Sequence, residues 1–277
     1  MKLLVLLVVL ALRRLELNWS AWLLGEARLA RPLLPWWQKL AGLPATLHWC
    51  LAVLLPTLLL ALAFHGLQIL LWGLLGWLAG AVLLLWLWGA ESEFRQVEAL
   101  LAVGRMQDKA SLEAMAADSF QVPPGRNFFP RLQDAFLLRD ARVLFASIFW
   151  LILLGYWAVF LYLANRFYLQ RMQPGESSLA AGLDLVLFYP VARLLVLCLA
   201  LVSDYQQVMA AVRGKLWDLP SEALLHLAIG GVLSHSGAVA ESDLAQQMDR
   251  LELLHAALLR TLALWLVMAA LWIMLFY

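Results

Sequence analysis

Long apolar stretches alternate with charged segments along this chain. A membrane-spanning helix needs roughly 20 apolar residues, and five stretches meet or approach that length: residues 48–64, 67–88, 143–164, 185–202 and 261–277. Only His65 and Gly66 separate the first two stretches, which predicts a tight helical hairpin. The pattern predicts an all-α, polytopic helical membrane protein.

The N-terminal segment is apolar as well, but residues 1–12 are short for a membrane span. The segment resembles the core of a signal peptide after Lys2. Arg13 and Arg14 follow where a small-residue cleavage site is expected. We therefore predict that residues 1–12 are retained, either as a re-entrant segment or lying in the membrane interface.

The charged segments carry the periodicity of helices. Within residues 90–142, one helical face is expected to carry Phe94, Val97, Leu100 and Leu101. Gly104 is expected to end that helix, and a second helix is expected from Lys109 to about Ser119. The Pro-Pro-Gly at residues 123–125 then predicts a break.

A third helix is predicted to begin near Asn127 and to continue into the third span. Residues 203–260 predict two or three more helices, punctuated at residues 218–220 and at Gly230-Gly231, and the last of them leads into the final span. No strand pattern, repeat or linker interrupts the chain. Residues 1–277 are therefore expected to form one integrated domain, in which cytoplasmic helices pack on a transmembrane bundle.

Composition supports the membrane class. Hydrophobic residues make up 64% of the chain and charged residues 14%, against roughly 45–50% and roughly 25% in soluble domains. Sixteen of the 20 Lys and Arg lie in residues 13–47, 90–142 and 203–260. Cytoplasmic loops carry the excess of basic residues, so these long segments are predicted to be cytoplasmic. A net charge of +1 gives no case for nucleic acid.

Signatures of catalysis and of ligand binding are weak. The chain contains no GxxxxGK[ST], HExxH or GxSxG motif, and residues 229–237 (IGGVLSHSG) are interpreted as an inter-helix turn rather than a phosphate cradle. One group of side chains matches no common metal-site spacing and is interpreted as solvated surface: His226, His235, His255, Glu241 and Asp243. Cys50 and Cys198 are interpreted as inert core thiols. No cofactor is predicted.

Arg193 is the most informative polar residue within an apolar stretch. A charge that faces lipid is costly, and Tyr189 lies four residues earlier on the same helical face. Pro190 has no N–H, so the carbonyl of Val186 loses its helical partner. Two hypotheses remain open. Arg193 either satisfies a proline-broken helix or pairs between helices, or it binds an anionic headgroup or ligand in a polar pocket beside Asp184 and Tyr189.

Several stretches resemble the AmpE family of inner-membrane proteins, which is associated with β-lactamase induction in Gram-negative bacteria. They are LLVLLVVLALRRL (residues 3–15), DARVLFASIFWLILLGYW (residues 140–157) and AGLDLVLFYPVARL (residues 181–194). The order of loops agrees over nearly the full chain. The resemblance implies a multi-pass protein of the cell inner membrane with a regulatory or signalling role in the response to β-lactams.

AmpE is in turn similar to CobD/CbiB, membrane enzymes that attach an aminopropanol arm during cobalamin synthesis. The carboxylate motifs of that family are altered here. Arg142 falls where an acid is expected, only Asn165 remains of an N-T-L-D motif, and Asp184 stands in place of an acidic pair. Metal-dependent condensation needs such carboxylates. The resemblance therefore implies a retained scaffold that is not an enzyme; the alternative is an enzyme with altered chemistry.

The resemblance and the arginine together define a candidate intramembrane polar site formed by Arg193, Asp184, Tyr189, Arg142 and Asn165. Carboxylates that converge with Arg142 and Arg193 would favour the enzyme, and a closed apolar interior would favour signalling. The expected partners are the lipid bilayer and a cell-wall-derived or nucleotide-like small ligand. Another envelope or cytoplasmic regulatory protein is a further expected partner. No catalytic or metal-binding residue is predicted.

Overall fold

The computed structural model describes residues 2–14, 27–40, 42–69, 74–89, 92–125, 127–171, 178–234 and 243–276, and no strand occurs in these ranges. The helices are α1 (Lys2–Arg14), α2 (Ala27–Lys39), α3 (Ala45–Trp49), α4 (Leu55–Ile69), α5 (Leu74–Trp88), α6 (Glu93–Arg105), α7 (Lys109–Phe120), α8 (Phe128–Asp140), α9 (Ala146–Leu153), α10 (Tyr156–Arg171), α11 (Ser178–Val202), α12 (Tyr205–Val212), α13 (Ser221–Leu233) and α14 (Leu244–Phe276). Two π-helical segments, Cys50–Leu54 and Ala141–Phe145, precede α4 and α9. The predicted all-α class is confirmed.

The chain divides into two compact units. The first unit contains Met1–Ser92, Ala146–Phe188 and Phe276–Tyr277, and the second contains Glu93–Phe145 and Tyr189–Leu275. Each unit has its own buried apolar side chains. Their action as one integrated domain stays a prediction.

In the first unit, α1 packs on α5 and α9, and α10 packs on α4 and α5. The apolar face of α1 buries Val5, Leu6 and Val9. At its C-terminal end the buried Arg13 donates from Nε to the carbonyl oxygen of Gly89 at 2.9 Å. The end of α1 is therefore fixed to the end of α5 by a charge-assisted hydrogen bond.

The second unit is centred on aromatic rings. Phe136 contacts Phe94, Phe120 and His255, with ring centroids 6.2 Å apart in each pair. These rings join α6, α7, α8 and α14. The apolar face predicted for α6 is buried, as expected, at Phe94, Val97, Leu100 and Leu101. Helical periodicity therefore identified the inward face of α6 correctly.

The ends of the helices in residues 93–140 agree closely with the predictions. α6 ends one residue after Gly104. Asp108 caps α7 by accepting a hydrogen bond from the Ser111 N–H at 3.1 Å. The hydrogen bond from the Ser111 hydroxyl, together with that from the Ser111 N–H, lowers the pKa of the Asp108 carboxyl. α7 ends at Phe120, and the chain is not helical at residues 121–125. The predicted Pro-Pro-Gly break is confirmed.

Four segments, which lie within the described ranges apart from residues 90–91 of the second, are long and apolar enough to cross a membrane: Ala45–Leu67, Leu75–Arg105, Leu179–Val202 and Leu244–Leu275. They include most of four of the five predicted stretches. The helix that precedes the last stretch is continuous with it, as predicted, because α14 runs from Leu244 to Phe276. α1 is not among these four, so its re-entrant or interfacial position stays a prediction.

The predicted hairpin turn at His65-Gly66 is wrong, because α4 continues through both residues to Ile69. A glycine inside a helix costs only about 1 kcal/mol relative to alanine, which is too little to end a long apolar helix. The next helix begins at Leu74, and residues 70–73 lie outside the described ranges. The second predicted span, residues 67–88, therefore begins too early.

The third predicted span, residues 143–164, is also wrong as a single helix. α9 ends at Leu153 and α10 begins at Tyr156. Gly155 has φ +103°, and the carbonyl of Trp150 accepts from the N–H groups of both Leu154 and Gly155. A glycine with positive φ after a helix is a common C-terminal cap. The run of apolar residues gave no sign of this break.

The predicted turn at Gly230-Gly231 is wrong as well, because both glycines lie inside α13. A Cβ atom at Gly231 would lie 2.7 Å from the Cα atom of Val208 in α12. Glycine is needed here because two helices touch, and not because the chain turns. Residues 229–234 are accordingly neither the predicted inter-helix turn nor a phosphate cradle.

Candidate functional site

Arg193 lies in the second unit, and α11 passes through Pro190 without a break. Its side chain is almost completely buried, at 3% relative exposure. Nη1 donates to the Ser221 hydroxyl oxygen and Nη2 to the Leu219 carbonyl oxygen, both at 2.6 Å. The predicted approach to the carbonyl of Val186 is not among its contacts. Arg193 instead joins α11 to the start of α13, one of the alternatives that the sequence offered.

Tyr189 takes part in the same contact. The guanidinium carbon of Arg193 lies 3.5 Å from the centroid of the Tyr189 ring, which is a close cation–π contact. The Tyr189 hydroxyl donates to the Trp217 carbonyl oxygen at 3.2 Å. Two residues of α11 therefore hold the carbonyls of the segment that precedes α13.

The charge of Arg193 is met only by neutral groups. Within the described part of the chain it contacts no carboxylate, and its Nε has no hydrogen-bond partner. A buried cation that lacks an anion raises the positive potential around it. The site therefore attracts negative charge.

Arg142 forms an ion pair with Glu222, the residue next to Ser221. The first turn of α13 thus receives two arginines, Arg142 on Glu222 and Arg193 on Ser221. An acidic residue in the first turn also complements the helix dipole. One carboxylate does converge with Arg142, as an enzyme would require, but it is Glu222 and not a residue of the expected motifs.

A groove of about 270 Å³ lies between α8 and α13. Its walls are formed by Asp134, Leu137, Leu138, Glu222, Ala223, Leu225, His226 and Ile229. His226 Nδ1 donates to Asp134 Oδ1 at 2.7 Å, since a carboxylate only accepts. The groove combines an apolar floor with an Asp–His pair and a second carboxylate.

This groove was not predicted from the sequence. His226 was interpreted as a solvated residue, and its side chain is 63% exposed, but it has a definite partner in Asp134. The two residues are 92 positions apart, and no local pattern connects them. Glu222 and His226 are four residues apart, which places them on one face of α13, and this spacing is the one signal that the sequence offered.

Asn165 and Asp184 belong to the first unit, whereas Arg142, Tyr189 and Arg193 belong to the second. Asn165 is buried, accepts from Trp49 Nε1 at 2.8 Å and donates to the Ala180 carbonyl oxygen at 3.0 Å. Asp184 is half-buried, and its Oδ1 has no hydrogen-bond partner. The five candidate residues are therefore divided between two units.

The rest of the altered motif at residues 165–168 is structural too. The Tyr168 hydroxyl lies 2.8 Å from His48 Nδ1, and His48 Nε2 lies 3.2 Å from the Trp37 carbonyl oxygen. A carbonyl only accepts, so Nε2 carries the proton and Nδ1 accepts from Tyr168. Asn165 and Tyr168 both hold α10 against α3.

The candidate metal ligands and the two cysteines are the remaining side chains with possible chemistry. In the described ranges no group of three or more His, Cys, Asp or Glu could hold a metal ion. His255 lies 3.6 Å from Glu98, whereas His235 and Glu241 fall outside those ranges. Cys50 and Cys198 are both free thiols.

Comparison with known proteins finds no relative: no protein-family model, curated protein or solved structure matches the chain. The resemblance to AmpE therefore rests on the stretches quoted from the sequence. Its implications for function stay predictions.

Proposed function

We propose that this protein is a multi-pass protein of the inner membrane with a regulatory rather than a catalytic role, as its resemblance to AmpE implies. Four segments of sufficient length and apolarity support membrane insertion. The distribution of the basic residues supports a cytoplasmic location for the long segments.

The observation that carries the regulatory role is how the candidate polar residues are used. Arg193 donates to Ser221 and Leu219, Arg142 pairs with Glu222, and Asn165 bonds to Trp49 and Ala180. Side chains that hold helices together are not free to activate a substrate. Polar contacts of this kind suit a bundle that changes between states when a partner binds.

The groove between α8 and α13 is, in this proposal, where the regulatory ligand or partner binds. The Asp134–His226 pair and the apolar floor offer both hydrogen bonding and apolar contact. The carboxylates of Asp134 and Glu222 disfavour the phosphates of a nucleotide-like ligand. A cell-wall-derived ligand, or a segment of an envelope or cytoplasmic regulatory protein, fits the groove better.

Induction of β-lactamase tests this role. A strain that lacks the protein should respond to a β-lactam with a several-fold altered β-lactamase activity, and the wild-type gene should restore the response. His226→Ala should fail to restore the response. The protein should stay at normal abundance, because the His226 side chain is largely exposed. Asp118→Ala, an exposed change in α7, is the matched control and should restore it. Normal induction in the deletion strain would reject the proposal.

A second candidate function is a membrane enzyme on a CobD/CbiB-type scaffold with altered chemistry. The observation in its favour is that Asp134, His226 and Glu222 line one groove, where an Asp–His pair is suited to general-base work. Complementation of a strain that lacks the cobalamin enzyme distinguishes the two candidates. We expect no corrinoid synthesis, and restored synthesis would overturn the regulatory proposal.

A further inference from the structure

The first helix, α1, has apolar side chains on two opposite faces. Its inner face packs on α5 and α9 and buries Val5, Leu6 and Val9. We call the exposed apolar positions of the opposite side the outer face of α1: Leu4, Leu7, Val8 and Ala11. Their spacing places them on one stripe of the helix. Because both faces are apolar, α1 needs an apolar partner on its outer face as well.

A hydrogen bond fixes the C-terminal end of α1 to the C-terminal end of α5. Arg13 Nε donates to the Gly89 carbonyl oxygen at 2.9 Å, and the Arg13 guanidinium carbon lies 5.7 Å from the centroid of the Trp88 ring. The apolar stretch of α5 ends here, since polar residues follow at positions 91–93. The two helices therefore end at the same level, where the chain changes from apolar to polar.

Two glycines place the other end of α1. Lys2 Nζ lies 3.9 Å from the position that a Cβ atom at Gly155 would occupy. The residue after Gly155 is Tyr156, and its ring packs directly on Gly80 of α5, where a Cβ atom would overlap it. Lys2 therefore lies near the level of Gly80. The end of α9 beside Gly155 offers carbonyl dipoles that favour a cation, so the Lys2 ammonium is accommodated there.

The distances along the two helices agree with a side-by-side arrangement. Lys2 lies 11 residues before Arg13, which is roughly 17 Å along a helix. Gly80 lies nine residues before Gly89, which is roughly 14 Å. α1 therefore runs beside the second half of α5 and in the same direction. When α5 crosses a bilayer with about 30 Å of hydrocarbon, this length brings Lys2 roughly to the middle.

α5 exposes apolar side chains at the same level as the outer face. Leu78 and Val82 are 62% and 58% exposed. Val82 lies seven residues before Gly89, which is roughly 10 Å along the helix. Leu7 lies six residues before Arg13, which is roughly 9 Å. Apolar side chains that a membrane helix leaves exposed are covered by lipid, whose acyl chains are as apolar as leucine. The outer face of α1 therefore lies at the depth where lipid covers α5.

We propose that α1 lies within the bilayer, along the half of α5 next to Gly89, and that its outer face contacts the acyl chains of lipids. The contacts favour this position over one in the membrane interface, because an interfacial helix would lie across α5 rather than along it. The inference rests on the proposed membrane insertion of α5. It assigns to α1 a partner, lipid hydrocarbon, that the regulatory role does not require.

Depth measurements by electron paramagnetic resonance test this position. Full-length protein with Cys50→Ala and Cys198→Ala is placed in phospholipid nanodiscs and carries one nitroxide label at a time, at Leu4→Cys, Leu7→Cys or Ala11→Cys. Accessibility to oxygen should rise, and accessibility to an aqueous nickel complex should fall, from Ala11 to Leu4. The calibrated depth should increase by roughly 10 Å between these two positions, because seven residues of helix separate them.

Labels at Val82→Cys in α5 and at Met106→Cys are the references. Val82→Cys should give nearly the depth of Leu7→Cys, and Met106, which is 79% exposed, should be accessible to nickel. Equal depths at Leu4 and Ala11 in inserted protein would place α1 in the interface and overturn the inference alone. Outer-face labels that neither reagent reaches would show a protein cover and overturn it too. Nickel accessibility at Val82 equal to that at Met106 would reject membrane insertion, and with it the proposed function.

Discussion

Two buried arginines in the described ranges are held by backbone carbonyls. Arg13 donates to Gly89 and Arg193 to Leu219. A guanidinium suits this task because its donors are spread over a planar fork. The sequence singled out Arg193 since it interrupts an apolar stretch. It gave no reason to single out Arg13, because Arg13 and Arg14 together look like the charged end of a segment.

Arg193→Leu should destabilise the protein rather than remove a ligand contact. The change leaves the Ser221 hydroxyl and the Leu219 carbonyl without their donor, at about 1–3 kcal/mol for each buried group left unpaired. We expect a lower melting temperature, a lower abundance and a proportionally lower response to β-lactam. Thermal unfolding in detergent and quantitative immunoblotting measure the first two effects.

Two further variants make this prediction specific. Ser221→Ala removes one of the acceptors of Arg193 and should cause a smaller loss of stability in the same direction. Arg131→Leu, an exposed change in α8, should stay within about 0.5 kcal/mol of wild type. A stable, abundant Arg193→Leu protein that no longer supports the β-lactam response would assign Arg193 to ligand binding instead.

At the scale of elements, α12 and α13 pack so closely that a side chain is excluded between them. Gly231 faces the backbone of Val208, whereas nothing lies within 4 Å of a Cβ at the neighbouring Gly230. Small residues at a helix contact allow backbones to approach. The Gly-Gly pair therefore has two different roles one residue apart, which a pattern of glycines alone does not reveal.

Alanine substitutions at these glycines should act in opposite directions. Gly230→Ala should stabilise α13 by about 1 kcal/mol, because glycine is the weaker helix former and the space is open. Gly231→Ala places a Cβ 2.7 Å from the Val208 Cα and should destabilise by about 1–3 kcal/mol. Thermal unfolding of the two variants side by side tests the contact. Two shifts of the same sign would contradict the described packing.

On the scale of the whole molecule, the proposed membrane insertion rests on four long apolar segments of the described chain, and the proposed sidedness rests on the distribution of basic residues. Sixteen Lys and Arg lie in the three long segments, against Arg166 and Arg171 in residues 165–184. By the positive-inside rule, this asymmetry predicts that the three long segments are cytoplasmic. It does not depend on how the two compact units are arranged.

Cysteine labelling in spheroplasts tests the sidedness. A membrane-impermeant thiol reagent added from outside should label a cysteine placed at Gly175 and should spare one placed at Gln107. Permeabilised spheroplasts are the control, since both positions should then react. Labelling at Gln107 without labelling at Gly175 in intact spheroplasts would reverse the proposed topology.

Local features of the chain determined most of the helices. The apolar face of α6, the start of α7 after Asp108 and the length of α14 follow from periodicity, capping and apolar length. Each of these depends on residues within a few turns of one another. The helix ends that were predicted wrongly lie where a local signal was ambiguous. Gly66 lies inside a helix and Gly155 caps one, but the two look alike in sequence because the residue type does not determine φ.

The sequence by itself determined that Arg193 must have a partner, since an unpaired guanidinium in an apolar environment is too costly. Only the tertiary structure decided which partner, because Ser221 and Leu219 reach Arg193 after α12 has folded back toward α13. The Asp134–His226 pair has the same origin, as its members are joined by packing across 92 residues. Burial energy dictates that a polar group is satisfied, whereas packing geometry chooses the acceptor.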